Sequence, residues 1–365
     1  MTIKIFVGDV LAGLDLLGDE SVHCVVTSPP YWGLRDYGVS GQIGLEPTLG
    51  EHIAKMVEVF REVRRVLRKD GTLWLNYGDC YATSPNGRSA AATKATGNDD
   101  RTFRDKPFST IGPIYAPSSS DPFRRDTGRR GGGRNQDPSL KAKDLCMVPN
   151  RLAIALQEDG WWVRSEIIWH KPNPMPESIK DRPGSSHEKI WLLSRSERYF
   201  YDAESVKEPV ATATKERLAQ NVAAQEGSAR QPGKTNGTMK AVGDGKTRNL
   251  RNVWTISPKG FKGAHFATFP PALIEPCIKA GCPIGGTVLD PFGGAGTTAV
   301  VAESLGRDSI LIELNPAYAE LTRERLRGGE SSVVKDKQAL GHRRYAGFND
   351  RYFGKTPSYK EVFGF

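Results

Sequence analysis

The sequence predicts a doubly wound α/β fold with a mostly parallel sheet. Three observations carry that expectation. Short β-rich runs alternate with stretches of helical spacing along most of the ordered chain. A glycine-rich turn joins one such run to a helix near the C-terminal end, and a Ser-Pro-Pro-Tyr turn closes another near the N-terminal end. Alternation of this kind argues for βαβ units.

Taken in order, residues 3–7 read as a strand and 10–17 as a helix. Residues 22–27 form a second strand that ends at Ser28-Pro29-Pro30-Tyr31. Across 52–68, Ile53, Met56, Val57, Phe60, Val63 and Leu67 recur at helical spacing. Gly71 reads as the stop, and 72–76 as the next strand. Residues 150–159 read as a helix, and 161–170 and 189–194 as strands flanking a proline-rich stretch at 171–183. Residues 270–279 are a helix and 287–289 a strand, followed by the turn at 290–298, a helix at 298–305, a strand at 309–312 and a helix at 316–327.

Two segments break the alternation. Residues 84–143 carry 12 Lys and Arg against 6 Asp and Glu, and 203–262 carry 11 against 5. Neither has a sustained apolar period, so neither is expected to fix a core. Their surplus exceeds the whole net charge of +9, which leaves the ordered remainder slightly acidic. Positive charge gathered in polar loops suits contacts to a nucleic-acid backbone. The resulting plan is ordered blocks at 1–82, 145–202 and 263–327, a basic insertion at 83–144, a basic polar segment at 203–262 and a polar tail at 328–365.

Composition excludes several classes. The five cysteines include no CxxC, which argues against a disulfide framework and a zinc knuckle, and no metal site is expected. The start MTIKIFVGDV lacks the pattern of a signal peptide, and no run approaches the ~20 apolar residues of a membrane span. The expectation is a soluble, cytoplasmic chain with reduced thiols.

The turn Asp290-Pro291-Phe292-Gly293-Gly294-Ala295-Gly296-Thr297-Thr298 follows an apolar strand. The next strand ends near Glu313, an acid placed to meet ribose hydroxyls. An Asp at the head of the loop repels a pyrophosphate but welcomes an ammonium, which disfavours a nicotinamide dehydrogenase. S-adenosyl-L-methionine, an adenosine carrying an amino acid in place of phosphates, meets that requirement. Ser28-Pro29-Pro30-Tyr31 supplies hydrogen-bond acceptors on a stiff turn and an aromatic ring. Acceptors at Ser28 Oγ and the Pro29 carbonyl would pull an aromatic amine toward tetrahedral geometry and make its nitrogen nucleophilic. Such chemistry needs no cysteine, and its target base must leave the duplex.

On these residues the chain resembles the N4-cytosine/N6-adenine DNA methyltransferases. Thr27 to Trp32 resembles their catalytic motif and Asp290 to Thr298 their cofactor motif. The order, catalytic motif first, resembles the permuted β group, which implies a Rossmann-like methyltransferase fold with permuted motifs and basic loop insertions. The resemblance implies Ser28, Pro29, Pro30 and Tyr31 as catalytic. It implies a cofactor set of Asp9, Phe269, Asp290, Pro291, Phe292, Gly293, Gly294, Gly296, Thr297, Thr298, Glu313 and Asn315. It places Lys171 and His187 in a loop near the target base, with a structural role the alternative for His187, and implies a catalytic half at 1–82 and 145–202, a target-recognition region at 203–262 and a cofactor half at 263–327. Arg124, Arg125, Arg129, Arg130, Lys171 and His187 are the expected DNA contacts. His265, beside the Phe269-Pro270 element, is either cofactor wall or core.

The implied partner is double-stranded DNA, in a bacterial cell or a phage-infected host. The resemblance leaves open a cognate restriction endonuclease and a homodimer. Ser in the first position goes mainly with cytosine N4 and Asp mainly with adenine N6, and a hydroxyl can also donate to a ring acceptor. Cytosine N4 is therefore the expected target and adenine N6 the alternative. An RNA or protein-amide methyltransferase and a non-catalytic DNA-binding protein are the further alternatives.

Overall fold

The computed structural model describes residues 1–33, 39–82, 140–141, 143–210, 246–258 and 269–327. The expected contacts Arg124, Arg125, Arg129 and Arg130, and His265, lie outside these residues. Among the described residues, no helix is long and apolar enough to cross a membrane.

The strands of the main sheet are β1 (Ile3–Val7), β2 (Val22–Thr27), β3 (Leu67–Tyr77), β4 (Trp162–His170), β5 (His187–Ser194), β8 (Val253–Thr255), β9 (Thr287–Asp290) and β10 (Asp308–Glu313). A separate ribbon pairs β6 (Glu208–Pro209) with β7 (Thr247–Arg248). The helices are α1 (Val10–Asp15), α2 (Leu49–Val66), α3 (Val148–Glu158), α4 (Pro271–Gly281), α5 (Thr297–Ser304) and α6 (Pro316–Arg327).

The sheet order is β1-β10-β9-β2-β3-β5-β4-β8, and β5 alone runs against the rest. This is the mostly parallel sheet expected. Its faces follow from the two-residue period of strands. Val25, Leu73, Leu75 and Leu289 point into one core with α1, α2 and α3. Their neighbours Cys24, Val26, Trp74 and Val288 point into the other, with α4 and α5. Full burial of each such side chain contributes about 1.5–3 kcal/mol before entropy is counted.

The two ends of the chain meet on one edge. β1 pairs in register with β10, from Ile3 opposite Ser309 to Val7 opposite Glu313. From β9 the chain crosses through α5 to β10 on one side, and from β2 through α2 to β3 on the other. The strand order therefore reverses between β9 and β2. A crevice opens beyond the C-terminal ends of strands at such a point. β9 ends in Asp290 and β2 leads into Ser28, so the two expected motifs flank that crevice.

Among the departures from expectation, three bear on how the sheet and its helices are built. α2 begins at Leu49, because Thr48 caps it: its side chain accepts from Glu51 N while the Glu51 carboxylate accepts from Thr48 N. Gly71 is not the stop, since α2 ends at Val66 and Gly71 lies inside β3. The segment 203–262 is not wholly separate from the sheet, because β8 pairs with β4 and extends its edge. The basic insertion leaves and returns through one antiparallel bridge, Tyr81 to Leu145.

Candidate active site

The crevice is a cleft of about 920 Å³, counted out to its open mouth. Its walls include Asp9, Ser28, Pro30, Phe269, Asp290, Pro291, Phe292, Gly293, Gly294, Thr297, Glu313 and Asn315. Four expected residues do not line it: Pro29, Tyr31, Gly296 and Thr298. Sequence reading misses Val39, Gly41, Gln42 and Ile43, which close the cleft from the loop after the catalytic turn, and Tyr318 on α6.

Asp290 is 1% exposed and its carboxylate is already held by three donors. Thr27 Oγ1 donates to Oδ1 at 2.7 Å, Phe292 N to Oδ1 at 3.1 Å, and Thr298 Oγ1 to Oδ2 at 2.6 Å. Thr27 is the last residue of β2, so this contact ties the two motifs together. Burial raises the Asp290 carboxyl to about 6 against the pull of these donors. Thr298 thus serves the cleft by holding Asp290, not by lining it.

Gly296 has φ +72°, and a Cβ there would lie 2.2 Å from Thr322 Cγ2 on α6. Only glycine meets both conditions. Glu313 accepts from Gly294 N at 2.7 Å and from Asn315 N at 2.8 Å, and burial raises its carboxyl above the ordinary range. Asp9 caps α1 through Oδ1, accepting from Leu11 N and Ala12 N.

The cleft walls carry three acids, Asp9, Asp290 and Glu313, and no lysine, arginine or histidine among the described residues. That set opposes a pyrophosphate. It suits a ligand with ribose hydroxyls, an ammonium and a sulfonium. Phe269, Ile43, Phe292 and Ile312 add an apolar surface for an adenine ring. A Cβ on Gly8 or Gly41 would meet no protein atom within 4 Å, so the backbone lies bare to the cleft at both places. S-adenosyl-L-methionine fits these residues.

At the catalytic turn, Ser28 is half-buried and faces the cleft. The Tyr31 ring stacks on Tyr77 with centroids 4.8 Å apart, so one of its faces is already covered. Its other neighbours are polar. Ser28 Oγ donates to Tyr31 Oη at 3.3 Å, and Tyr31 Oη donates to Glu188 Oε2 at 2.9 Å. The Ser28 proton is thereby directed at Tyr31. Lys171 Nζ is paired with Glu188 Oε1 and sits 4.3 Å from the Trp169 ring centroid. Lys171 therefore joins the hydrogen-bonded group behind the catalytic turn. His187 is exposed and lies opposite His170 at the end of the β4–β5 ladder.

A second buried chain holds the turn from behind. Trp32 N donates to Tyr77 Oη at 3.1 Å, and Tyr77 Oη lies 3.2 Å from Pro30 O. His52, fully buried, bridges Tyr77 Oη at 2.7 Å and Glu46 Oε2 at 2.8 Å. The Glu46 carboxylate also accepts from Gly44 N, next to the cleft loop. Burial works to raise Glu46, but His52 and backbone donors outweigh it, and its carboxyl lies below the ordinary range. Exchanging His52 for Leu leaves Glu46 and Tyr77 without their partner. The expected loss is about 2–3 kcal/mol of unfolding free energy in a denaturant titration. An unchanged midpoint would show that this chain contributes nothing.

What such a cleft holds beside such a turn defines the class: an S-adenosylmethionine-dependent methyltransferase acting on amino groups. Comparison with known proteins narrows it. A family model described as DNA methylase, covering N6 and N4 methyltransferases, matches residues 22–324. The Type II methyltransferase M.XycI of Xanthomonas campestris pv. cyanopsidis is 42% identical over 331 residues, 91% of this chain and 90% of that protein. M.SmaI of Serratia marcescens, also a Type II methyltransferase, is 42% identical over 324 residues, 88% of this chain and 90% of that protein. Among solved structures, the PvuII DNA methyltransferase (cytosine-N4-specific) aligns with a TM-score of 0.55 at 18% identity, covering 92% of this chain and 91% of that one. TTHA0409 of Thermus thermophilus, complexed with S-adenosyl-L-methionine, aligns with a TM-score of 0.50 at 21% identity, covering 93% and 98%. The chain belongs to the N6/N4 DNA methylase family and is an S-adenosylmethionine-dependent DNA methyltransferase.

Proposed function

We propose that the chain is a site-specific Type II methyltransferase that methylates the exocyclic N4 of cytosine in a base turned out of duplex DNA. The observation that carries the base assignment is serine rather than aspartate at position 28, since Ser at that place in the family goes mainly with cytosine N4 and Asp mainly with adenine N6. The basic insertion and the polar segment at 203–262 are the proposed DNA-facing parts, with the permuted motif order of the β group.

When bound, S-adenosylmethionine supplies an electrophilic methyl carried on sulfur. Asp290, Glu313 and Asp9 would hold its polar groups, and Phe269 and Ile43 would pack against its adenine. Ser28 Oγ and the Pro29 carbonyl accept the amine N–H bonds and turn the nitrogen lone pair toward the methyl. That lone pair would accept the methyl group, with the C–S bonding electrons left on sulfur. The nitrogen then sheds one proton to solvent. Positioning supplies most of the acceleration.

The test is mass spectrometry of nucleosides from DNA incubated with the protein and methyl-labelled S-adenosylmethionine. Labelled N4-methylcytosine is the expected product. Labelled N6-methyladenine would keep the mechanism and overturn the base assignment, and no label in any nucleoside would move the reading to RNA or protein.

A further inference from the structure

We propose that Glu188 is a positioning residue for methyl transfer, because it sets the direction of the hydrogen-bond chain that ends on Ser28. The inference rests on amino-group methylation at Ser28 and holds for cytosine N4 and adenine N6 alike.

A carboxylate offers only lone pairs. Tyr31 Oη lies 2.9 Å from Glu188 Oε2, so the phenol must donate there. Its other acceptor, Asn76 Oδ1, is farther at 3.4 Å. Asn76 is itself turned by its amide, which donates to Glu188 Oε2 at 3.3 Å and to Lys189 O at 3.2 Å. With its single proton spent, Tyr31 can only accept from Ser28, 3.3 Å away. Ser28 has then spent its own proton, and its free lone pairs are all it can present to the cleft. Ser28 is made an obligate acceptor, as a target amine requires.

Lys171 completes the arrangement by occupying Glu188 Oε1. Burial and the neighbouring carboxylate also push the Tyr31 phenol well above its ordinary range, so it remains a donor. A glutamine at 188 breaks the logic. Its amide N–H can face Tyr31, which then accepts there and frees its proton for Ser28 or Asn76. Ser28 is released to point its hydrogen at the amine, donor against donor.

The experiment uses the full chain, unmethylated bacteriophage DNA and methyl-labelled S-adenosylmethionine. Glu188→Gln and Tyr31→Phe are each expected to slow turnover about 50-fold, with the cofactor dissociation constant within about twofold of the parent. The double variant is expected to be no slower than either single, since both cut one chain. Turnover of Glu188→Gln within about threefold of the parent, or a double loss equal to the product of the singles, overturns the proposal. A second readout does not need methylation. With 3-fluorotyrosine at position 31, the fluorine resonance should titrate at lower pH in Glu188→Gln than in the parent, because the adjacent anion is gone. An unmoved titration overturns the chain even if the parent labels no nucleoside, a result that would by itself defeat only the methylation reading. Should Glu188→Gln fail to fold with Lys171 unpaired, Lys171→Met with Glu188→Gln removes both charges and carries the same readouts.

Discussion

Exchanging Asp290 for Asn weakens S-adenosylmethionine binding by about 100-fold near pH 8, on the order of 2.7 kcal/mol. Asn keeps the shape: its oxygen can still accept from Thr27 and Phe292, and Thr298 can reverse its hydroxyl to accept from the amide. What it loses is the charge that faces the cationic ligand. The pH dependence gives a second signature. Burial raises the Asp290 carboxyl from its ordinary 3.8 to about 6. For folding, the group is most favourable when neutral, so its contribution is full below 3.8 and is lost as pH rises through about 6. Ligand binding runs the other way, because a cation selects the ionised form. Affinity should rise about tenfold per pH unit up to about 6 and then level off. Calorimetry from about pH 5 to about pH 8 should show this bend in the parent and none in Asp290→Asn. A parent whose affinity is flat across that range would remove Asp290 from the cationic end of the site.

The same residue shows what a sequence can and cannot disclose. The head of the glycine turn and the acid at Glu313 are readable because a strand, a glycine run and a helix are local patterns, each carried by a few consecutive residues. Ser28 to Tyr31 is readable for the same reason. The role of Thr27 is not, since its hydroxyl finds Asp290 across 263 positions. Strand β8 escapes sequence reading because Val253–Thr255 is three residues long, too short for a period, and its partner β4 lies far upstream. The cleft loop at 39–43 has no apolar rhythm at all and acquires its place from Gly33 N bonding Gly44 O and from the Glu46 cap on Gly44. Lys171 is legible in the sequence only as part of a loop near the target base, through the family resemblance. Glu188 reaches it across the mouth of the β4–β5 hairpin, a pairing that only the folded sheet creates.

Truncating Tyr31 to alanine reduces turnover about 1,000-fold while cofactor affinity stays within about twofold. The split follows from position: Tyr31 does not line the cleft, whereas its hydroxyl is the partner of Ser28. Truncation removes that partner and also the ring stacked on Tyr77, and the vacated space costs about 3 kcal/mol of stability. A loss through unfolding must therefore be separated from a loss through geometry. Gly78 provides the means. A Cβ at Gly78 would lie 2.6 Å from Tyr31 Cε2 and 3.2 Å from Cδ2. The ring cannot yield freely, because Tyr77 supports one face and Glu188 holds the hydroxyl. Gly78→Ala should thus displace the phenol by a few tenths of an ångström without deleting an atom of it. The expected result is a turnover loss of about 10-fold with intact cofactor affinity. If Gly78→Ala turns over at the parent rate while Tyr31→Ala does not, the ring acts only as packing for the turn. If both variants run near the parent rate, Tyr31 has no part in presenting Ser28. Loss of cofactor affinity in Tyr31→Ala would instead tie the ring to the cleft wall.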